Sequence, residues 1–165
     1  MGTSAPGVKV IDTASNAVVA TIPTQIYPAG VVTPPAPVRW RSYLANTDSN
    51  SVSIVNPATG RVVGTIPVGS NPQGLAMAPS GRLVYVANSG SNTVSVIDTL
   101  TSSVTATLPV ATRPVDVAVS PDGRRFYVTN FSSATLSVFD ATKQLGDRHC
   151  EHGHESQSGG AQSRR

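Results

Sequence analysis

The chain has 165 residues, of which 13% are charged, and it carries a formal net charge of +3 with a pI of about 9.4. The basic residues are scattered, without a basic run or a row of aromatic side chains, so we expect no nucleic-acid groove. The one cysteine excludes an intrachain disulfide, and the lack of a long apolar stretch or a leader-like N-terminus predicts neither a transmembrane segment nor a signal peptide.

Short runs of alternating apolar and polar residues begin near the N-terminus, at residues 8–12 and 16–23, and continue along the chain. Alternation of this kind is typical of half-buried β-strands. Residues 1–140 contain no Glu, and Lys9 is their one lysine, although helix surfaces usually carry both residue types. The composition therefore predicts an all-β fold.

A tetrapeptide that begins with tyrosine recurs at residues 43–46, 85–88 and 127–130, which is a period of 42 residues. A fixed period of roughly 20 to 50 residues indicates a repeat architecture, such as a solenoid or a propeller. Each copy of the repeat provides a scaffold, and the scaffold alone does not name a ligand.

Each copy contains four strand-like segments, A to D. Strands A and B are joined by a tight-turn signal, as at residues 79–81 and 121–123, where a proline is followed two positions later by a glycine. Strands C and D follow after a polar loop. Four short antiparallel strands that recur every ~40 residues are the blade of a β-propeller.

The sequence therefore predicts an incomplete or open β-propeller over residues 1–140 and a disordered polar tail at 141–165. The predicted units are a partial blade with strands C and D, two whole blades, and a partial blade that lacks strand D: about 8–23, 29–67, 73–109 and 115–140. The two partial units together would make one composite blade.

The motif Tyr127-Val128-Thr129-Asn130, with residues 119–123 before it and 136–140 after it, resembles the YVTN family of β-propeller repeats. The resemblance covers about residues 8–140 in three copies. It implies similarity to surface-layer and other extracytoplasmic propellers and, more distantly, to seven-bladed lactonases and the d1-haem propeller of nitrite reductases. We therefore expect a location outside the cytoplasm or at the cell surface.

The number of predicted blades is lower than the roughly four to eight blades of a closed propeller. We interpret the chain as a fragment of a longer propeller or as an open arc that needs a partner. Exposed strand edges are templates for pairing with other strands. Protein binding or self-association through open strand edges is therefore expected.

Polar residues of the D–A and B–C loops are the candidate ligand contacts, because these loops usually gather at one end of a propeller channel. They are Asn46, Asp48, Asn71, Gln73, Asn88, Arg113, Asp116 and Asn130.

Several of these residues also have a structural interpretation. Asn46, Asn88 and Asn130 recur in register, which suits amides that cap the loop backbone at a strand end. Arg113 and Asp116 do not recur, and they suit a surface ion pair. Residues that end strand C before a turn are expected to form Asx turns: Asn56, Asp98 and Asp140.

Residues 1–140 contain no His, Cys or Glu, so they offer no catalytic metal cluster, no axial haem ligand of the usual kind and no base for a serine nucleophile. We expect a non-catalytic binding or structural module without a cofactor. The alternative is a fragment of a propeller enzyme, either a lactonase-like hydrolase or a haem-binding redox propeller, whose catalytic residues lie outside this chain.

Imidazole and thiol groups cluster in the predicted tail, at His149, Cys150, His152 and His154. Such ligands can hold Zn²⁺, Ni²⁺ or Cu²⁺. An unstructured tail with adventitious metal affinity is the other interpretation of this segment.

Overall fold

The structure is a computed structural model that describes residues 7–12, 14–23, 28–33, 41–143 and 145–151. The strands in this part of the chain are β1 (Gly7–Asp12), β2 (Ala17–Pro23), β3 (Pro28–Val32), β4 (Ser42–Asn46), β5 (Ser51–Asn56), β6 (Arg61–Pro67), β7 (Pro72–Met77), β8 (Leu83–Asn88), β9 (Thr93–Asp98), β10 (Ser103–Pro109), β11 (Pro114–Val119), β12 (Arg125–Asn130), β13 (Thr135–Asp140) and β14 (Leu145–Glu151).

The strands form three four-stranded antiparallel sheets and one hairpin. Blade I is β3–β6, blade II is β7–β10 and blade III is β11–β14, each with its strands in chain order. Sheet 1 is the two-stranded pair β1–β2. The all-β propeller prediction is confirmed, and within the described residues the sheets do not close into a ring. No helix in that part of the chain is long and apolar enough to cross a membrane.

The turns between strands A and B form as the sequence predicts. Gly81 and Gly123 adopt φ angles of 71° and 68°, which glycine tolerates without a steric cost. Their N–H groups donate to the carbonyls of Ala78 and Ser120, both at 2.8 Å. These turns set the register of the two hairpins, in which Tyr85 pairs with Ala76 and Tyr127 pairs with Ala118.

The hydrophobic core lies between neighbouring blades, and β8 shows why. Alternate side chains of a strand point to opposite faces of the sheet. Val84 and Val86 pack with residues of blade I, and Tyr85 and Ala87 pack with residues of blade III. All four side chains are at most 1% exposed. Strand B of blade II therefore contributes to two core layers at once.

Stacked aromatic rings join blades II and III. The ring of Tyr85 lies on Phe126, with 4.3 Å between the centroids, and Phe126 stacks on Phe139 at 4.7 Å. Phe126 is completely buried. Aromatic pairs stabilise a core beyond the effect of their buried area. The repeated tyrosine thus packs on the next blade along the chain.

The last blade differs from its prediction. Residues 145–151 form a fourth strand, β14, which pairs with β13 from Asp140↔Leu145 to Thr135↔Glu151. Blade III is therefore complete, and its A–B pair is not free to form a composite blade with sheet 1. The predicted disorder at 141–165 is wrong for residues 145–151, and residues 152–165 lie outside the described part of the chain.

The two ends of the array are less covered than its middle. In blade III, Tyr127 and Val138 are only half-buried, although their counterparts in blade II, Tyr85 and Val96, are 1% and 0% exposed. In sheet 1, Val8 is half-buried, whereas its counterparts in blades I and II are fully buried. Surfaces that blades cover in the middle of the array are therefore partly open at its ends.

Candidate functional site: the loop face

The B–C loops (47–50, 89–92 and 131–134) and the D–A loops (68–71 and 110–113) interlock at one end of the blades, and we call this surface the loop face. The N–H of Ser89 donates to the carbonyl of Asn71 at 3.0 Å, and the N–H of Phe131 donates to that of Arg113 at 2.8 Å. On the other side, the N–H of Val68 donates to the carbonyl of Asn50 at 2.9 Å. Each D–A loop is thus held by the B–C loops of the two blades that it connects.

Two asparagines that were not among the predicted site residues position the D–A loops. Asn50 and Asn92 adopt φ angles of 51° and 55°, a left-handed conformation in which asparagine is enriched. Their Oδ1 atoms accept hydrogen bonds from the N–H groups of Asn71 at 2.9 Å and Arg113 at 2.8 Å. The 42-residue spacing of Asn50 and Asn92 is the sequence signal that identifies them. The third copy has Ala134 at this position, with φ of 52°.

The repeated asparagines at the ends of strand B are buried. The exposed fractions of Asn46, Asn88 and Asn130 are 0%, 0% and 2%. Each Nδ2 donates to two hydroxyls of the adjacent strand C, which for Asn88 are Thr93 Oγ1 at 3.1 Å and Ser95 Oγ at 2.9 Å. The equivalent acceptors in the other blades are Ser51, Ser53, Thr135 and Ser137. These amides therefore link strand B to strand C through side-chain hydrogen bonds. The sequence had instead predicted that they cap the backbone of the loop. Their burial favours the structural interpretation over a ligand contact.

The Oδ1 atoms of these three amides are buried, and they have no hydrogen-bond partner in the part of the chain that the structure describes. Asn130 differs from the other two because its Nδ2 also donates to the carbonyl of Val128 at 3.3 Å. A neighbouring residue also differs. A Cβ at Gly69 would lie 2.7 Å from Cγ of Asn88, but the equivalent residue beside Asn130 is Ala111. The two differences occur in the same copy of the repeat.

The other candidate residues occupy different parts of the loop face. Asp48 and Asn71 are exposed, and Asn71 has a left-handed φ of 51°. Gln73 is half-buried on β7, one of the strands A (β3, β7 and β11) that contact one another from blade to blade and that we call the inner strands. Its carbonyl lies against Gly30 of blade I. A ligand role for these residues remains a prediction.

The ion pair expected between Arg113 and Asp116 does not form. Asp116 Oδ1 instead accepts from the N–H of Val117 at 2.9 Å, and the residue packs against Gly74 of blade II. The guanidinium carbon of Arg113 lies 5.0 Å from the centroid of the Phe131 ring, within the range of a cation–π interaction. Phe131 was not predicted as a site residue.

The described ion pairs belong to the opposite ends of the strands. Arg82 Nε lies 3.4 Å from Asp98 Oδ2, and Lys143 Nζ lies 3.7 Å from Asp140 Oδ2. The backbone N–H of Leu100, followed by smaller effects that include Arg82, lowers the pKa of Asp98. In each pair the carboxylate ends a strand C, and Arg113 has no carboxylate partner among the described residues.

The predicted Asx turns after strand C are confirmed. The side-chain oxygens of Asn56, Asp98 and Asp140 accept hydrogen bonds from the backbone N–H two residues later, at 3.0, 2.7 and 2.8 Å. This recurrence in three blades shows that the asparagine or aspartate at the end of strand C has a structural role.

The predicted metal ligands lie at or beyond the end of the described chain. His149 and Cys150 belong to β14, and His152 and His154 lie outside the described residues. Among the described residues, no group of three or more His, Cys, Asp or Glu side chains is close enough to hold a metal ion. Metal binding by the C-terminal residues therefore stays a prediction.

Comparison with known proteins supports the architecture. A family model described as a YNCE-like β-propeller matches residues 5–143. Hydrazine synthase from Kuenenia stuttgartiensis is similar in structure, with a TM-score of 0.70 and 27% identity over 74% of this chain. A functionally unknown protein from Desulfotomaculum acetoxidans has a TM-score of 0.75 and 20% identity over 87% of this chain.

The dihydro-haem d1 dehydrogenase NirN, in complex with DHE, is a third similar structure, with a TM-score of 0.75 and 19% identity over 89% of this chain. The chain spans 35%, 48% and 33% of the lengths of these three proteins, in the order given. No curated protein matches the sequence. The chain therefore spans less than half of the length of each of these proteins.

Proposed function

The chain belongs to the YNCE-like β-propeller family, and on this basis we propose that it is a non-catalytic binding module whose open ends associate with further β-structure. The observation that carries the proposal is the half-buried pair Tyr127 and Val138 on blade III. The equivalent pair in blade II, Tyr85 and Val96, is covered by blade III. Blade III therefore presents an apolar surface whose equivalent on blade II is buried against the next blade.

The edge of sheet 1 supports the same proposal. β5 pairs with strands on both sides, β4 and β6, whereas β1 pairs with β2 alone among the described strands. Lys9 occupies the position at which Ser53 and Ser95 accept hydrogen bonds from the strand-end asparagines. A strand that pairs with β1 therefore meets an ammonium group, and an acidic side chain would complement it.

Light scattering coupled to size-exclusion chromatography tests the association. The wild-type chain, with a monomer mass of 17.0 kDa, is expected to form larger species as its concentration rises. Val138→Arg places a charge on the open face of blade III and should shift the protein to the monomer. Val63→Arg is the matched control, because Val63 is 55% exposed on the outer strand β6 and should not alter association.

Circular dichroism of both variants verifies that the sheets remain folded. A wild-type chain that stays monomeric at every concentration contradicts self-association. If Val63→Arg reduces association as much as Val138→Arg does, the face of blade III is not the contact. Lys9→Glu provides the corresponding test at β1, where a change of charge should weaken any association that involves this strand.

The second candidate function is that of a propeller segment within a larger redox or hydrolytic enzyme. It is favoured by the 27% identity with a hydrazine synthase and by the structural similarity to NirN, both much longer than this chain. In that case the catalytic groups belong to other parts of the protein. Absorption spectra of a longer form of the protein mixed with haem would detect a haem-binding propeller, and the 165-residue chain serves as the control.

A location outside the cytoplasm or at the cell surface is proposed from the resemblance of the Tyr127-Val128-Thr129-Asn130 motif to YVTN repeats. Fractionation of cells that express the natural gene, followed by detection with an antibody to this chain, tests the location. Recovery of the protein in the cytoplasmic fraction alone contradicts it.

A further inference from the structure

We propose that Arg113 and Phe131 form a binding site on the loop face for a carboxylate that lies next to an apolar group. The site goes beyond the association proposed above, because it involves the D–A and B–C loops and neither the face of blade III nor the edge of β1. The two side chains, the backbone that holds them and the charges around them determine which class of ligand this site binds.

Comparison of equivalent loops shows that the pair is an exception within the repeat. In blade II, the positions equivalent to Arg113 and Phe131 hold Asn71 and Ser89. The hydroxyl of Ser89 donates to the carbonyl of Asn71 at 2.9 Å. In blade III the corresponding backbone hydrogen bond remains, but a guanidinium and an aromatic ring replace the amide and the hydroxyl. The same backbone frame thus carries a different chemistry.

The backbone of Arg113 is fixed in an unusual conformation. Its φ angle is 57°, in the left-handed region that residues other than glycine, asparagine and aspartate seldom adopt. The hydrogen bond from its N–H to Asn92 Oδ1, at 2.8 Å, holds this conformation. Strained backbone of this kind concentrates at functional sites. The loop therefore directs the arginine side chain toward the ring of Phe131.

The charge of Arg113 has no carboxylate partner among the described residues. The ion pairs in that part of the chain are Arg82–Asp98 and Lys143–Asp140, and the nearby Asp116 bonds to the N–H of Val117. A guanidinium that lies by a ring retains the N–H donors at its rim, and these match the two oxygens of a carboxylate.

The ring of Phe131 defines the second part of the ligand. Phe131 is 67% exposed, although large aromatic side chains usually bury most of their surface. An apolar group beside the carboxylate would cover this ring while the carboxylate bonds to Arg113. A peptide meets this description in two ways, through a C-terminal carboxylate on an apolar residue or through an acidic side chain next to one.

Titration of the isotope-labelled 165-residue chain with N-acetyl-leucine, followed by NMR, tests the site. The probe supplies a carboxylate and an apolar side chain, and N-acetyl-leucine amide is the uncharged control. We expect progressive shifts of the resonances of residues 111–113 and 131 as the probe concentration rises, with a dissociation constant of roughly 1 mM or weaker, because one exposed ion pair and one apolar contact contribute little binding free energy. The amide should bind at least about tenfold more weakly.

The double variant Arg113→Asn/Phe131→Ser introduces the residues that the equivalent loop already accommodates, so it should fold. It should lose the binding, whereas Arg113→Lys should weaken it about tenfold because the ammonium lacks the planar fork. Equal binding of the amide, or full binding by the double variant, overturns the proposal. Val138→Arg, which tests the association of blades, should leave this binding unchanged, so the two proposals fail separately.

Peptides identify the natural source of the carboxylate. A peptide that ends in leucine with a free C-terminus and an amidated peptide with glutamate next to leucine provide the two arms. Stronger binding of the first indicates recognition of a chain end, and stronger binding of the second indicates an acidic side chain. If neither peptide shifts the resonances of residues 111–113 and 131, the proposal is wrong.

Discussion

A Cβ atom on Gly74 would lie 2.6 Å from the Cα of Asp116, so the inner strands β7 and β11 touch backbone to backbone. The same contact exists one blade earlier, where a Cβ on Gly30 would lie 2.6 Å from the carbonyl oxygen of Gln73. Glycine is required at these two positions because the inner strands of adjacent blades approach each other most closely there.

Gly74→Ala should therefore destabilise the fold. Its methyl group meets backbone atoms that cannot move without separating blades II and III, which corresponds to a cost of about 1–3 kcal/mol. Urea unfolding followed by circular dichroism measures the loss. Gly64→Ala is the control, because its Cβ would meet the end of the Ile54 side chain at 3.3 Å and no backbone. Equal losses for the two variants would show that the inner-strand contact is not special.

The contacts of Asp116 could not be predicted from the repeat. The 42-residue period predicts that residue 116 is equivalent to Gly74, and it reveals that a carboxylate replaces the glycine. It does not reveal that Asp116 bonds to its own backbone or that Arg113 turns to Phe131. Both contacts depend on loop dihedral angles, which sequence patterns specify weakly.

Phe126→Ala should cost about 3–5 kcal/mol, because Phe126 is completely buried between two rings. Domains of this size are stable by about 5–15 kcal/mol, so the variant should be at the limit of folding. Phe126→Leu keeps most of the apolar volume and should cost less. Thermal unfolding compares the two variants, and Phe131→Ser provides the exposed control. A loss of stability in Phe131→Ser as large as that in Phe126→Ala would refute this assignment of the core.

Asn88 and Ser95 should show coupled stability, since the amide donates to the hydroxyl at 2.9 Å inside the core. A double-mutant cycle with Asn88→Ala and Ser95→Ala isolates this interaction, and we expect a coupling of about 1 kcal/mol. The pair Asn88 and Thr105 is the control, because Thr105 donates to the carbonyl of Val96 and not to Asn88. A coupling near zero in the first cycle would mean that the hydrogen bond adds no stability.

Acid should weaken the fold through Asp98. The N–H of Leu100, with smaller effects that include Arg82, lowers the pKa of Asp98 in the folded state. A lowered pKa contributes stability above the unfolded value of about 3.9. This contribution is lost as the pH falls through the folded pKa. Urea midpoints at acidic and neutral pH should therefore differ less in Asp98→Asn than in the wild type.

The converse variant, Asn56→Asp, places a carboxylate at the equivalent turn of blade I, where Ala58 supplies the N–H. This variant should make stability more sensitive to acid than in the wild type. If neither substitution alters the acid sensitivity, the carboxylates at these turns do not control it.

The sequence predicted the strands of the three repeats because alternation and turn residues recur at a fixed period. It missed β14 for a physical reason. Residues 145–151 carry four polar or charged residues and no apolar alternation, so they lack the pattern from which a strand is predicted. The asparagine–hydroxyl network could have been predicted, because the serines and threonines at 51, 53, 93, 95, 135 and 137 recur with the asparagines.

Ala134→Gly should stabilise the chain, although glycine usually weakens a fold. Ala134 has a φ of 52°, where the equivalent residues in blades I and II are asparagines that tolerate this conformation. Relief of the left-handed strain, which is about 1–2 kcal/mol for an L-residue, exceeds the entropy that glycine loses on folding, about 0.5–1 kcal/mol. A gain of about 0.5–1 kcal/mol in urea unfolding is therefore expected. Ala118→Gly on strand β11 is the control and should lower stability, since that alanine has no positive φ. A loss of stability in both variants would show that the loop around residue 134 carries no strain.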